Sequence, residues 1–295
     1  MERPPSDPHH SRLQEILHLP PLPAVAYQLL REVTSEDVDI RRLTGLIEQD
    51  PGLAARIVGI ANSAYFARQR EIHQVEDAIT RVLGLNIVRG LAIGIALSKP
   101  FDVSACPEFE ISRYWYRAFV SANLANALGP HLELETDLRE CLFLAGLVHN
   151  LGQLVLVHAF PSRMADVFRQ KQANPGESLL TLESQVLAMT EMQAGTLIGK
   201  RWKLPRCVTH TIQYRHEPNL AGRYELAVQT VAICSRAAEA LYDDPDQAQL
   251  QLDDFGDHPS ALTQEMLDDI MHKARHNDAQ YRALAESIGT QEPPA

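Results

Sequence analysis

Several chemistries are missing from this sequence, and each absence excludes a class of function. There is no basic excess: 27 Lys and Arg face 38 Asp and Glu, a formal net charge of −11. A domain that grips duplex nucleic acid neutralises phosphates with surplus cations, so nucleic acid is a poor candidate partner. There is no CxxC pair. The four cysteines, Cys106, Cys141, Cys207 and Cys234, are widely spaced, which argues against a zinc knuckle or a redox pair and for buried free thiols. There is no apolar segment near the N-terminus of the kind that marks a secretory signal. The longest apolar stretch, around Leu85–Leu97, is interrupted by Arg89 and is too short to span a bilayer. A soluble, cytoplasmic protein without membrane association is expected. No strand-like alternation occurs, and the Gly and Pro residues are scattered rather than gathered into low-complexity tracts.

What is present is helical spacing almost throughout, with 45% hydrophobic residues to build a core. The expected fold is all-α. Residues 1–12, with the His9-His10 pair, read as a flexible tail. Residues 13–242 read as one domain of two packed sub-bundles, 13–100 and 108–242. An acidic loop over 243–259, a single C-terminal helix over 260–288 that packs on the domain, and a tail over 289–295 follow. Leu13, Ile16 and Leu17 share a helical face before the proline-rich run from Leu19 to Pro23 breaks the helix. Asp39 and Asp50 are placed to cap helices, and Pro51 suits a first helical position. Gly84 suits a helix end, Asn86 and Thr136 are further candidate caps, and Thr190 with Gln193 has capping-box spacing. Trp115 and Trp202 are expected core anchors. Tyr65-Phe66 is expected to pack in the core, with a docking patch as the other reading. The acidic run Asp243, Asp244, Asp246, Asp253, Asp254 and Asp257 lacks the order of a calcium loop and reads as solvated.

Two blocks carry more than fold class. The first comprises Leu19-Pro20-Pro21-Leu22-Pro23, Glu48-Gln49-Asp50-Pro51-Gly52-Leu53, Ala61-Asn62-Ser63 and Arg81-Val82-Leu83-Gly84. The second comprises Gly146-Leu147-Val148-His149-Asn150-Leu151-Gly152, Trp202-Lys203-Leu204-Pro205 and Arg215-His216-Glu217-Pro218. In combination and order these resemble the HDOD family, an HD-related output domain of bacterial signalling proteins, over roughly residues 13–242. The resemblance implies an all-helical fold related to HD phosphohydrolases and HD-GYP cyclic di-GMP phosphodiesterases. No receiver, GGDEF or EAL domain accompanies the blocks, so a stand-alone copy of the output domain is expected.

A working HD site gathers His and Asp side chains around metal ions that acidify water and neutralise phosphate oxygens. Judged by that resemblance, the ligand positions are depleted. The HD doublet reads His149-Asn150, and an amide brings no charge. Arg117 stands where the family shows a histidine, Glu191 stands where it often shows another, and a His-His pair reads Arg215-His216. The later aspartate falls at Ser235. His149, Glu191 and His216 remain as possible ligands, with two arginines beside them to repel a cation. The expectation is therefore no catalytic residue, no metal and no cofactor. A charge cluster of Arg117, His149, Asn150, Glu191, Arg215 and His216 takes the place of the metal. The cluster either holds the fold or binds an anion or a nucleotide phosphate, since arginine pairs with phosphate bidentately. The function expected is a non-catalytic regulatory protein acting on protein partners in a signalling pathway, with cyclic di-GMP signalling as a candidate pathway. A divergent metal-dependent phosphohydrolase or phosphodiesterase, and a nucleotide or anion sensor without turnover, are the competing readings.

Overall fold

Short polar caps and prolines set where the helices begin. Asp39 and Asp50 each stand before a helix in an extended conformation, with a carboxylate oxygen accepting a backbone N–H: Arg41 N at 2.8 Å and Leu53 N at 3.1 Å. Those orphan donors have no partner within the helix, and the caps satisfy them. The computed structural model describes residues 21–33, 39–63, 66, 71–256 and 261–289. The expected N-terminal tail, the helix from Leu13, Tyr65, Asp257 and the tail beyond Gly289 lie outside the described residues.

Among the described residues there are helices and no strands. The first group comprises α1 (Ala24–Val33), α2 (Ile40–Glu48), α3 (Pro51–Ala61), α4 (Val75–Asp77, continued as a π-helix over Ala78–Leu83) and α5 (Leu85–Ser98). Gly84 separates α4 from α5 with φ of 82°, a left-handed value that glycine adopts without strain. Gly84, not Asn86, is therefore the residue at the start of α5.

The second group is built on α6 (Ile111–Leu128), which runs through the middle of the molecule. Its Tyr116 and Phe119 are fully buried, each worth about 1.5–3 kcal/mol of apolar burial. Around it lie α7 (Thr136–Val148), α8 (Leu151–Ala159), α9 (Pro161–Ala173), α10 (Leu179–Leu187), α11 (Glu191–Arg201), α12 (Arg206–Tyr214) and α13 (Glu225–Asp243). Thr136 is the first residue of α7 rather than its cap, and Glu135 before it makes no side-chain cap bond. The Thr190–Gln193 capping box at the start of α11 is formed as expected. Trp115 and Trp202 are each 4% exposed, as core anchors should be. Phe66 meets Phe119 edge-on at 6.3 Å, in agreement with core packing.

The C-terminal region departs from expectation in two ways. It is two helices, α14 (Gln264–His276) and α15 (Asp278–Gly289), because Asn277 leaves helical geometry between them. The acidic segment before them is pinned rather than merely solvated: Ala248, Leu250 and Phe255 are buried, and Arg275 donates to the Pro245 and Ala248 carbonyls at 3.0 and 2.6 Å. The carboxylates face outward while the apolar residues between them turn in. Helix α15 packs on α6 of the same chain. Arg282 lies over the rings of Tyr116 and Tyr242, 5.1 and 4.6 Å from their centroids, and Arg56 reaches across to donate to the Ile288 carbonyl at 3.2 Å. The stretch Thr136–Ala159 is long and apolar enough to cross a membrane, but 94% of its apolar window is buried inside this fold.

Candidate functional site

Several helices converge on one cleft of about 920 Å³. Helix α6 brings Arg113, Tyr114 and Arg117. The start of α11 brings Glu191, the end of α12 brings Arg215 and His216, and α13 brings Ser235, Glu239 and Asp243. His149 and Asn150 lie in the break between α7 and α8, 0% and 1% exposed.

Arg215 holds this region together. One guanidinium nitrogen pairs with Glu191 Oε1, and the other donates to the His149 carbonyl at 2.6 Å. Both side chains of the ion pair are buried. Helix ends explain why these residues sit here. The His149 carbonyl belongs to the orphan group at the C-terminus of α7, where the helix dipole is negative and a cation is favoured. Arg215 itself follows the last residue of α12, and Glu191 is the first residue of α11, so each charge sits at the helix end that suits its sign. Helix α8 reaches α11 through Gly152, where a Cβ would lie 1.7 Å from the Glu191 carbonyl oxygen. Only glycine allows that approach.

His149 spends both ring nitrogens inside the fold. Nδ1 lies 2.7 Å from the Gly146 carbonyl, which can only accept, so Nδ1 carries the proton. Nε2 then accepts from the Ser235 hydroxyl at 2.9 Å. Burial, then Arg215 and Arg117, hold the His149 pKa well below the ordinary histidine value, so the ring is neutral. Asn150 donates to the Tyr114 carbonyl at 3.4 Å, and its Oδ1 is buried without a partner.

Arg117 does not join Glu191. It pairs through Nε with Glu239, which also takes Arg113, and Arg113 pairs again with Asp243 at 2.8 Å. The expected single cluster is thus two networks on one cleft. His216 is exposed at its edge. Sequence reasoning missed Glu239 and also Glu183, a fully buried carboxyl on α10 that accepts from the Glu191 N–H at 2.8 Å. Burial and the neighbouring Glu191 carboxylate push the Glu183 pKa well up.

The residues present do not fit the metal centre of an HD enzyme. His149 has no free nitrogen, Asn150 offers an amide, and the Glu191 carboxylate is bound by a guanidinium. Among the described residues, no group of three or more His, Cys, Asp or Glu is arranged to hold a metal ion.

A family model for the HDOD domain matches residues 19–218. The chain belongs to the HDOD domain family. Solved structures share its fold. A signal transduction protein, so named, from Marinobacter aquaeolei VT8 superposes with a TM-score of 0.76 at 23% identity, covering 96% of this chain and 66% of that one. One named a phosphohydrolase, from Shewanella amazonensis SB2B, has a TM-score of 0.73 at 23% identity, covering 94% and 97%. An HDOD domain protein of unknown function from Geobacter sulfurreducens has a TM-score of 0.73 at 18% identity, covering 95% and 99%. An uncharacterized protein of Treponema pallidum (strain Nichols) is 26% identical over 227 residues, which is 76% of this HDOD chain and 42% of that protein. At these identities the neighbours share the fold, and fold does not carry activity with it.

Proposed function

We propose that this HDOD protein is a non-catalytic signalling module that works by binding a protein partner. The observation that supports this reading is the position of Arg215. A fixed guanidinium supplies the positive charge at the end of α7 and the start of α11, bound to the His149 carbonyl and the Glu191 carboxylate. Such a site cannot acidify a water molecule, because arginine keeps its proton and coordinates nothing. A phosphohydrolase reading needs at least three free ligands plus an open position. The acidic surface then favours a basic partner and steers its approach. A signalling pathway linked to cyclic di-GMP and a cytoplasmic setting are part of the same proposal.

Metal analysis of the purified protein tests it, combined with hydrolysis of a phosphodiester reporter in the presence of Mn, Fe or Zn. The expected result is sub-stoichiometric metal and no turnover. Stoichiometric metal with hydrolysis lost in His149→Ala would overturn the proposal.

A further inference from the structure

Each cation lining the cleft has a counter-charge or carbonyl partner, although Arg117 Nε, in contact with Glu239, makes no hydrogen bond. Arg113 and Arg117 rest on Glu239 and Asp243, and Arg215 rests on Glu191. Arg236 meets Asp254 at 3.5 Å, and the Lys171 ammonium donates to the Pro175 and Glu177 carbonyls, both at 2.7 Å. An incoming anion would have to displace a carboxylate to reach Arg113, Arg117 or Arg215, and only Arg236 stands exposed beside a looser partner. The acceptors are not matched. Glu108 Oε2 and Glu191 Oε2 belong to side chains on the cleft wall, are buried, and have no hydrogen-bond partner. Glu191 is 5% exposed; Arg215 balances its charge through Oε1, while Oε2 accepts no hydrogen bond. Glu110, an exposed carboxylate on the same lining, forms no salt bridge. Between these acceptors the wall is aromatic: Phe109 stacks with Phe168 at 5.8 Å and meets Tyr114 at 5.8 Å.

We propose that the cleft receives a basic side chain, lysine or arginine, from the protein partner. The inference rests on the protein-binding reading above. A lysine or arginine side chain has an apolar stem and a head that only donates. The cleft offers the complement, an aromatic wall for the stem and carboxylate oxygens for the head, with cation–π attraction added where the head passes a ring. The net charge of −11 brings such a partner in.

Ligand-observed NMR on the full chain tests this with blocked amino acids as probes. N-acetyl-lysine amide and N-acetyl-arginine amide should show saturation transfer. N-acetyl-norleucine amide, which keeps a stem and loses the charge, should bind at least about fivefold more weakly. Pyrophosphate, followed by phosphorus line broadening, should not bind. The double variant Glu108→Gln/Glu110→Gln should weaken the basic probes by about fivefold, and Arg236→Gln, at an exposed position, should strengthen them. An anion site would respond to Arg236→Gln with the opposite sign. Tighter binding of pyrophosphate than of either basic amide, no basic binding at about 10 mM, or no loss in the double variant would each overturn the inference. A chain without metal or turnover that ignores the basic probes refutes the cleft assignment alone. A metal-loaded, hydrolytic chain refutes the proposed function itself.

Discussion

Arg215→Met removes the cation from a site where nothing else can replace it. The side chains of Arg215 and Glu191 are 5% and 6% exposed, so the stranded carboxylate cannot turn to water. The His149 carbonyl loses its donor at the same time. Breaking one side of a buried ion pair costs about 3–5 kcal/mol, because the desolvation of the remaining charge is no longer offset. An exposed pair supplies the scale for comparison. Arg223 meets Asp137 at 2.9 Å with side chains 56% and 62% exposed, and Arg223→Met should cost at most about 1 kcal/mol. Urea unfolding followed by circular dichroism measures both variants, with an unchanged slope as the condition for comparing midpoints. The double variant Arg215→Met/Glu191→Leu should recover much of the loss, since it leaves no unpaired charge. Arg215→Lys should recover less, because a compact ammonium lacks the planar fork that spans the Glu191 carboxylate and the His149 carbonyl. A cost for Arg215→Met no larger than that for Arg223→Met would refute the reasoning, and with it the view that the guanidinium organises the site.

Three further outcomes follow from the same neighbourhood. Gly152→Ala places a methyl 1.7 Å from the Glu191 carbonyl oxygen, so α8 and α11 must separate; a loss of about 3 kcal/mol or more is expected by thermal unfolding, and a near-neutral result would contradict the packing. His149 is held neutral by burial and Arg215, so acid protonates the unfolded chain before the folded one. Stability should therefore fall by up to about 1.4 kcal/mol per pH unit as pH drops below about 6.5, and His149→Gln should flatten that slope; an identical slope in the variant would count against a buried neutral ring. Glu183 works in the other sense: its raised pKa keeps a proton that the unfolded chain releases near the ordinary carboxylate pKa, so its contribution is lost as pH rises. Glu183→Gln keeps an acceptor for the Glu191 N–H and should become increasingly stabilising from about pH 5 to 8, measured as the difference in unfolding midpoint from the parent chain.

Much of this was legible in the chain, and the part that was not has a physical cause. Caps are local, so Asp39, Asp50 and the Thr190–Gln193 box could be located by spacing alone. The sequence places His149 and Ser235 at two positions of the HD pattern, and the structure brings them into hydrogen-bond contact. Pairing between distant helices was not legible. The family resemblance groups Arg117 with Glu191 in one cluster, whereas its partner Glu239 stands outside that cluster. Yet the signal existed: Arg113 and Arg117 form an i, i+4 row on α6, and Glu239 and Asp243 form an i, i+4 row of opposite charge on α13. Two such rows satisfy each other when their helices pack side by side. Once that ladder forms, α6 spends its arginines on α13, and Arg215 is left as the one guanidinium on the Glu191 carboxylate. The division matters for the proposed function, because it commits the cations that an anion site would need, Arg113, Arg117 and Arg215, to carboxylates of the fold itself.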